Sequence, residues 1–200
     1  KVKVKGGKVE ALARRFKKAG SAYRGGDDGG WDEWRYQAEY GMGPRRLLLL
    51  AAPSADHQFS DQERSVLAPS PGKQGWSETT WFGHDRLELG GKLAVDRPGA
   101  IYAYTRFVMP KADSVRFWAG SEEGVQVWLD GREVYRYQGQ RPHQLGQDRL
   151  PAYLEEGEHH LLARVQVGEG RGEFSFNICE PLDDPDYAGN RYPGLRYYVG

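Results

Sequence analysis

The sequence predicts an all-β protein with the architecture of an antiparallel, jelly-roll β-sandwich, and three observations favour this class. The alternating run Val125–Leu129 ends at Asp130-Gly131, a pair that accepts the positive φ angles of a type I′ hairpin turn. Between Gly99 and Ile178, short apolar runs recur about every eight to twelve residues, as in sandwiches. Glycines separate these runs, so antiparallel strands joined by turns are expected.

The strands of this region are predicted from the period-two alternation of apolar side chains. In chain order they are Ile101–Met109, Ser114–Ala119, Val125–Leu129, Glu133–Gln138, Arg149–Leu154, Glu158–Val167 and Glu173–Ile178. The side chains expected to fill the core are Val125, Val127, Leu129, Val134, Leu161, Val165, Phe174 and Phe176. With a two-residue turn, Val127 faces Val134, and the other face of this hairpin carries Gln126, Trp128, Glu133, Tyr135 and Tyr137.

The N-terminal hundred residues show a more mixed pattern. An amphipathic helix is expected at Lys8–Ala19 and a flexible linker at Gly25–Gly30, followed by a buried strand at Arg46–Ala52. Ser60 and Glu63 have the spacing of a capping box and predict a short helix reaching Leu67, which leaves open a small α/β appendage. Beyond it lies an aromatic patch formed by Trp76, Trp81 and Phe82.

Three segments are expected along the chain. Residues 1–30 form a basic arm with a helix and a glycine-rich linker, and residues 31–178 form the sandwich with its N-terminal decoration. Residues 179–200 are expected to be irregular and to pack on the body through their tyrosines. The single Cys179 ends an apolar strand and is expected to be a small buried side chain.

The segment SEEGVQVWLDGREV (residues 121–134), followed by DRLPAYLEEGEHHLLARVQV and EFSFNI, resembles the PA14-like and galactose-binding-like β-sandwich modules. The resemblance covers about Gly99–Ile178. It implies a non-catalytic, extracytoplasmic module that often binds carbohydrate. Some PA14-like lectins hold calcium with paired aspartates, and this chain has Glu122-Glu123 at that place, which argues against calcium there.

The sequence contains few candidate motifs for catalysis or metal binding. There is no G-x-S-x-G elbow, no zinc-ligand spacing and no P-loop. His159 and His160 are neighbours on one strand, so they point to opposite faces and do not share a metal. An enzyme and a cofactor are not expected; the one ion considered is a structural calcium near Asp183, Asp184, Asp186 and Asn190.

A sugar-binding site is predicted at the hairpin and the loop that follows it. Aromatic rings stack on the C–H faces of sugars, and planar polar groups satisfy the hydroxyls. The expected platform is Trp128, Tyr135 and Tyr137, edged by Arg141, His143 and Asp148. The competing interpretation is that these aromatic side chains pack within the protein.

The distribution of charge suggests a second class of partner. Lys1–Arg24 holds nine Lys or Arg against Glu10 alone, although the whole chain has zero formal net charge. Such an arm attracts an acidic protein or an anionic membrane surface. The alternative function is therefore a structural or interaction subunit of an extracytoplasmic or membrane-associated complex; nucleic acid is not expected because the body is acidic.

Overall fold

The computed structural model describes residues 43–181 and 191–199. The expected helix Lys8–Ala19, the linker Gly25–Gly30 and the acidic residues 183–190 lie outside this part. The described elements are β1 (Arg46–Ala51), α1 (Asp61–Ser65), β2 (Thr80–Trp81), β3 (Leu87–Glu88), β4 (Gly99–Met109), β5 (Asp113–Ser121), β6 (Val125–Leu129), β7 (Arg132–Tyr137), β8 (Asp148–Leu154), β9 (Gly157–Val167), β10 (Glu173–Cys179) and β11 (Arg196–Tyr198).

The strands form two antiparallel sheets, which confirms the predicted all-β sandwich. The larger sheet has the order β2-β1-β4-β9-β6-β7, with β11 also paired to β4, and the smaller has the order β3-β10-β5-β8. From β7 to β11 every connection passes from one sheet to the other. These crossing connections collect loops at the ends of the sandwich, where binding residues are commonly found.

The main core lies between the sheets and contains the predicted inward faces. Seven of the eight predicted core side chains are buried, and the eighth, Val134, is partly buried against the same cluster. Phe176 packs on Phe117 with ring centroids 5.0 Å apart. Leu161, Ala163, Val165 and Val167 share the inner face of β9, as their alternation predicts.

The β6–β7 hairpin has the predicted turn but not the predicted register. Asp130 and Gly131 have φ angles of 49° and 79°, as a type I′ turn requires. A bulge between Val127 and Trp128 then pairs Val127 with Tyr135 instead of Val134. Because one inserted residue reverses the faces of all that follow, the prediction that the three aromatics share an outer face is wrong.

The outer face of the larger sheet carries a second apolar cluster. Its buried members are Leu48, Trp76, Tyr102, Tyr104, Trp128 and Leu162. Residues 52–67 cross this face and cover it: the Tyr102 hydroxyl donates to the carbonyl of His57 at 2.9 Å. The buried guanidinium of Arg164 donates to the carbonyls of Ala55 and His57. The part of the face under residues 52–67 is therefore a packing surface.

Residues 43–98, the described part of the chain before Gly99, belong to the sandwich and form no separate α/β appendage. The predicted strand at Arg46–Ala52 is β1, and it pairs with the central strand β4. The Ser60 hydroxyl accepts from the amide of Glu63, whose carboxylate accepts in return from the amide of Ser60, so the predicted capping box is confirmed. Within the described residues, no helix has the length and apolarity needed to cross a membrane.

The C-terminal segment differs from the expected irregular structure. Arg196–Tyr198 forms β11 and continues the larger sheet beside β4. Tyr192 and Leu195 are buried in the main core, which agrees with the expectation that this segment packs on the body. Cys179 is also buried, as predicted, and burial raises the pKa of its thiol.

Candidate functional site

The loop of residues 138–147 leaves β7 in the larger sheet and enters β8 in the smaller one. It is held at one end of the sandwich, where the amide of Arg141 donates to the carbonyl of Glu122 at 2.9 Å. It then crosses the outer face of β5 at Gly120, where the place of a Cβ atom lies 2.1 Å from the carbonyl oxygen of Gln144. Only glycine permits this approach, so the backbone here determines where the polar side chains of the loop lie.

Four of the six predicted site residues meet at the start of this loop. The Asp148 carboxylate accepts from the Tyr135 hydroxyl at 2.5 Å and also from the Arg141 guanidinium. The guanidinium lies 3.8 Å from the centre of the Tyr137 ring, a cation–π stack. Only one oxygen of Asp148 takes part in these bonds, and its side chain is 35% exposed. The other oxygen has no hydrogen-bond partner in the described part of the chain and can accept a hydrogen bond.

Burial and hydrogen bonds determine the protonation states of the side chains in this cluster. Burial by itself raises the pKa of Asp148, but the hydrogen bonds from Arg141 and Tyr135 outweigh burial and keep that pKa below its ordinary value. Burial, followed by the bond to Asp148, raises the pKa of the Tyr135 hydroxyl. The cluster therefore keeps a neutral phenol, a carboxylate and a guanidinium at neutral pH.

Trp128 and His143 do not join this cluster. Trp128 is 3% exposed on the outer face of the larger sheet, beneath the guanidinium of Arg64 at 4.9 Å. His143 is buried over the smaller sheet, with its Nε2 atom 3.0 Å from the Ser175 hydroxyl oxygen. Burial, followed by the nearby charges of Arg86 and Arg141, lowers the pKa of His143 to about 3. Neither side chain is placed to contact a ligand.

A groove opens beside the cluster. Its volume is about 240 Å³, and its walls are formed by Ala55, Pro98, Gly99, Glu123, Gly139, Gln140, Gln166 and Gly168. The Tyr137 hydroxyl lies directly behind the Gly139 wall, 3.1 Å from where a Cβ atom would stand. A second cleft of about 370 Å³ shares Ala55, Pro98 and Gly99 with the groove and continues it. Amides, carboxylates and small residues line this surface, and its largest apolar side chain is that of Val95.

Glu122 and Glu123 stabilise the far wall of the groove. The Glu123 carboxylate accepts from the amides of Gly168 and Gly170, and that of Glu122 accepts from the amide of Arg171 at 2.8 Å. Both are thus occupied in holding the loop between β9 and β10. In residues 43–181 and 191–199, no group of three or more His, Cys, Asp or Glu side chains is arranged to hold a metal ion.

Sequence reasoning missed the amide of Gln166 and the role of Glu123 in the groove. Gln166 alternates outward on β9, which marks it only as exposed. Gly124 was the available signal, because a Cβ atom there would lie 2.1 Å from the Gln166 side-chain oxygen. A glycine directly before a strand indicates that another group comes close to the backbone there. That this group is the Gln166 side chain follows only from the pairing of β6 with β9.

Comparison with known proteins finds solved structures to which this chain is similar. No family model and no curated protein matches the chain. A β-glucosidase from Kluyveromyces marxianus in complex with glucose matches 69% of this chain and 17% of its own, with 13% identity and a TM-score of 0.47. A GH31 α-xylosidase from Xanthomonas citri matches 77% of this chain and 16% of its own, with 10% identity and a TM-score of 0.41.

The PA14 domain of the antifreeze protein MpAFP is similar over 80% of this chain and 92% of its own length, with 12% identity and a TM-score of 0.43. Similarity at this level concerns fold alone. The chain spans less than a fifth of the length of the two glycosidases. The expected antiparallel β-sandwich is confirmed by the two sheets of the chain itself.

Proposed function

We propose that this chain is a non-catalytic carbohydrate-binding module that acts outside the cytoplasm. The observation that carries the proposal is the groove at the loop end, with the Arg141–Asp148 pair stacked on Tyr137 beside it. Sugars offer many hydroxyls to planar donors and acceptors, and these line the groove without large apolar anchors. No catalytic group is assigned to it.

The ligand contacts are assigned to the exposed groups. Gln140 and Gln166 bind hydroxyls in the groove, and the free oxygen of Asp148 accepts a further one. Tyr137, half-buried under Arg141, orients the guanidinium and does not stack on the sugar. Tyr135 is 7% exposed, so its replacement by alanine tests stability instead of binding.

Replacing Gln140 by alanine is expected to weaken oligosaccharide binding roughly five- to tenfold, the loss of about one hydrogen bond. Binding is measured by NMR titration of plant, algal and microbial oligosaccharides up to about 10 mM, because single modules bind weakly. Gln138→Ala, an exposed residue of the same loop outside the groove, is the matched control and should bind as the unaltered chain does. Equal affinities in the two variants, or no binding of any oligosaccharide, would contradict the proposal.

A second function is favoured by the charge of Lys1–Arg24, with nine basic residues against one acidic residue. In this alternative the chain is an interaction subunit that attaches to an acidic protein or an anionic membrane surface. Deleting Lys1–Arg24 is then expected to abolish salt-sensitive binding to phosphatidylserine vesicles or to an acidic partner. The Tm of the body should stay nearly unchanged; a large fall in Tm would show that the segment is part of the fold.

A further inference from the structure

A row of alternating aromatic and arginine side chains crosses the outer face of the larger sheet, away from the loop end. β1 pairs with β4 over Leu48–Ala51, and beyond this point β11 takes the same edge of β4. Arg46 is opposite Trp81 on β2, and Tyr198 is opposite Arg106 on β4. We call these four side chains the Trp81 row.

The members of the Trp81 row lie on one face because strands alternate with period two. Leu48 and Tyr104 belong to the outer cluster, so Arg46 and Arg106, each two residues away, point to the same side. Each arginine stacks on the aromatic ring opposite it: Arg46 lies 4.9 Å from the Trp81 ring centre and Arg106 lies 4.8 Å from that of Tyr198. The row is therefore ordered by its own contacts.

Trp81 lies at one end of the row, and it is exposed. Its side chain is 61% exposed, whereas the other described tryptophans, Trp76, Trp118 and Trp128, are buried. Arg46 covers one face of the indole, and within residues 43–181 and 191–199 no second ring or cation stacks on it. An exposed indole with a fixed orientation is a platform for the C–H face of a sugar ring.

The charge around the row is positive. Glu158 pairs with Arg106 and accepts from the Tyr198 hydroxyl, which neutralises that arginine. Arg46 and Arg196 have no carboxylate partner within the described part of the chain. Arg196 is two residues before Tyr198 on β11, so it shares the outer face and adds a second unpaired guanidinium.

The composition of this surface favours a sugar polymer over a protein partner. Among the described residues, its exposed large apolar side chains are Trp81 and Val108, on different strands and with arginines between them. In stable protein interfaces, the fully buried centre is more apolar than the surrounding surface. A charged polysaccharide needs one stacking ring and cations spaced along the surface, and guanidinium groups pair well with carboxylate or sulfate.

We propose that the Trp81 row binds an anionic polysaccharide, with a sugar ring on the face of Trp81 opposite Arg46 and its carboxylate or sulfate groups paired with Arg46 and Arg196. This surface goes beyond the groove at the loop end. It rests on the proposed function only in taking carbohydrate as the class of ligand.

The test measures binding of the full chain to polygalacturonate and to dextran sulfate, with uncharged dextran beside them, by affinity electrophoresis and calorimetry. Trp81→Ala should weaken binding to the charged polymers about tenfold or more, as removal of a central aromatic contact does. Arg46→Gln should weaken it similarly and make it less dependent on salt. The difference between the two polymers tells carboxylate from sulfate.

The matched control is Tyr153→Ala, which removes an aromatic side chain of equal exposure, 61%, on the edge strand of the smaller sheet. It should bind as the unaltered chain does, and Lys1–Arg24 is present in every variant, so its charge cancels in the comparison. Equal losses for Trp81→Ala and Tyr153→Ala, or absence of binding, would overturn the proposal. Equal Trp81-dependent binding to duplex DNA or phosphatidylserine vesicles would overturn it too.

This test is separable from that of the groove. Gln140→Ala should leave binding to the charged polymers unchanged, and Trp81→Ala should leave binding to neutral oligosaccharides unchanged. Failure of the groove with survival of the Trp81 row leaves an anion-specific module. The reverse result leaves a neutral-sugar module and overturns the inference made for Trp81.

Discussion

Replacing Phe176 by alanine is expected to lower the free energy of unfolding by about 3–5 kcal/mol. Phe176 has no exposed surface, and its ring packs on Phe117 across two paired strands of the smaller sheet. Its removal leaves a cavity between the two sheets. The strands around this cavity are held by hydrogen bonds within each sheet, so they can move only slightly to fill it. Chemical denaturation at neutral pH measures the difference.

The control for this prediction is Tyr153→Ala on β8. Tyr153 is 61% exposed, and the change should alter the free energy of unfolding by no more than about 0.5 kcal/mol. A loss below about 1 kcal/mol for Phe176→Ala would mean that Phe176 does not face the core and that the register Phe176 with Ala119 is wrong.

Acid should destabilise the protein through His143. Burial lowers the pKa of His143 from 6.5 to about 3, with the charges of Arg86 and Arg141 acting in the same direction. Between these values the unfolded chain binds a proton on His143 and the folded chain does not. The contribution of His143 to the free energy of unfolding is therefore fully present above pH 6.5. It is lost as the pH falls towards 3, by an amount on the order of 4 kcal/mol.

His143→Gln isolates this contribution. Glutamine keeps a polar group beside the Ser175 hydroxyl but does not titrate, and the carboxylates titrate equally in both proteins. The free energy of unfolding is measured from pH 7 to pH 3.5 for each. The unaltered chain should lose stability more steeply, so the difference between the two should shift in favour of the variant as the pH falls. Parallel curves would show that His143 is free to take a proton in the folded state.

The two sites differ in what holds them. At the loop end, a carboxylate, a phenol and a guanidinium bind one another, and the groove beside them offers amides. In the Trp81 row, each of the two arginines stacks on an aromatic ring. Arg46 and the neighbouring Arg196 have no carboxylate partner among the described residues. The first arrangement suits neutral hydroxyls, and the second suits anions.

Much of the candidate site was accessible to sequence reasoning. Tyr135, Tyr137, Arg141 and Asp148 come together because they end one strand, fill its loop and begin the next, a short path along the chain. Trp128 and His143 were wrongly grouped with them. Segments distant in sequence decide both cases: Arg64 lies over the Trp128 ring, and the Ser175 hydroxyl on β10 is hydrogen-bonded to His143.

The sequence by itself determined β1 and the strands from β4 to β10, the type I′ turn at Asp130-Gly131 and the capping box at Ser60, because alternation, positive φ and capping depend on neighbours a few residues away. Only the tertiary structure decided the bulge after Val127, the cover over the outer face and the position of the Trp81 row. Register and burial depend on which distant strands pair and on what space they leave, and alternation is the same for two registers one residue apart.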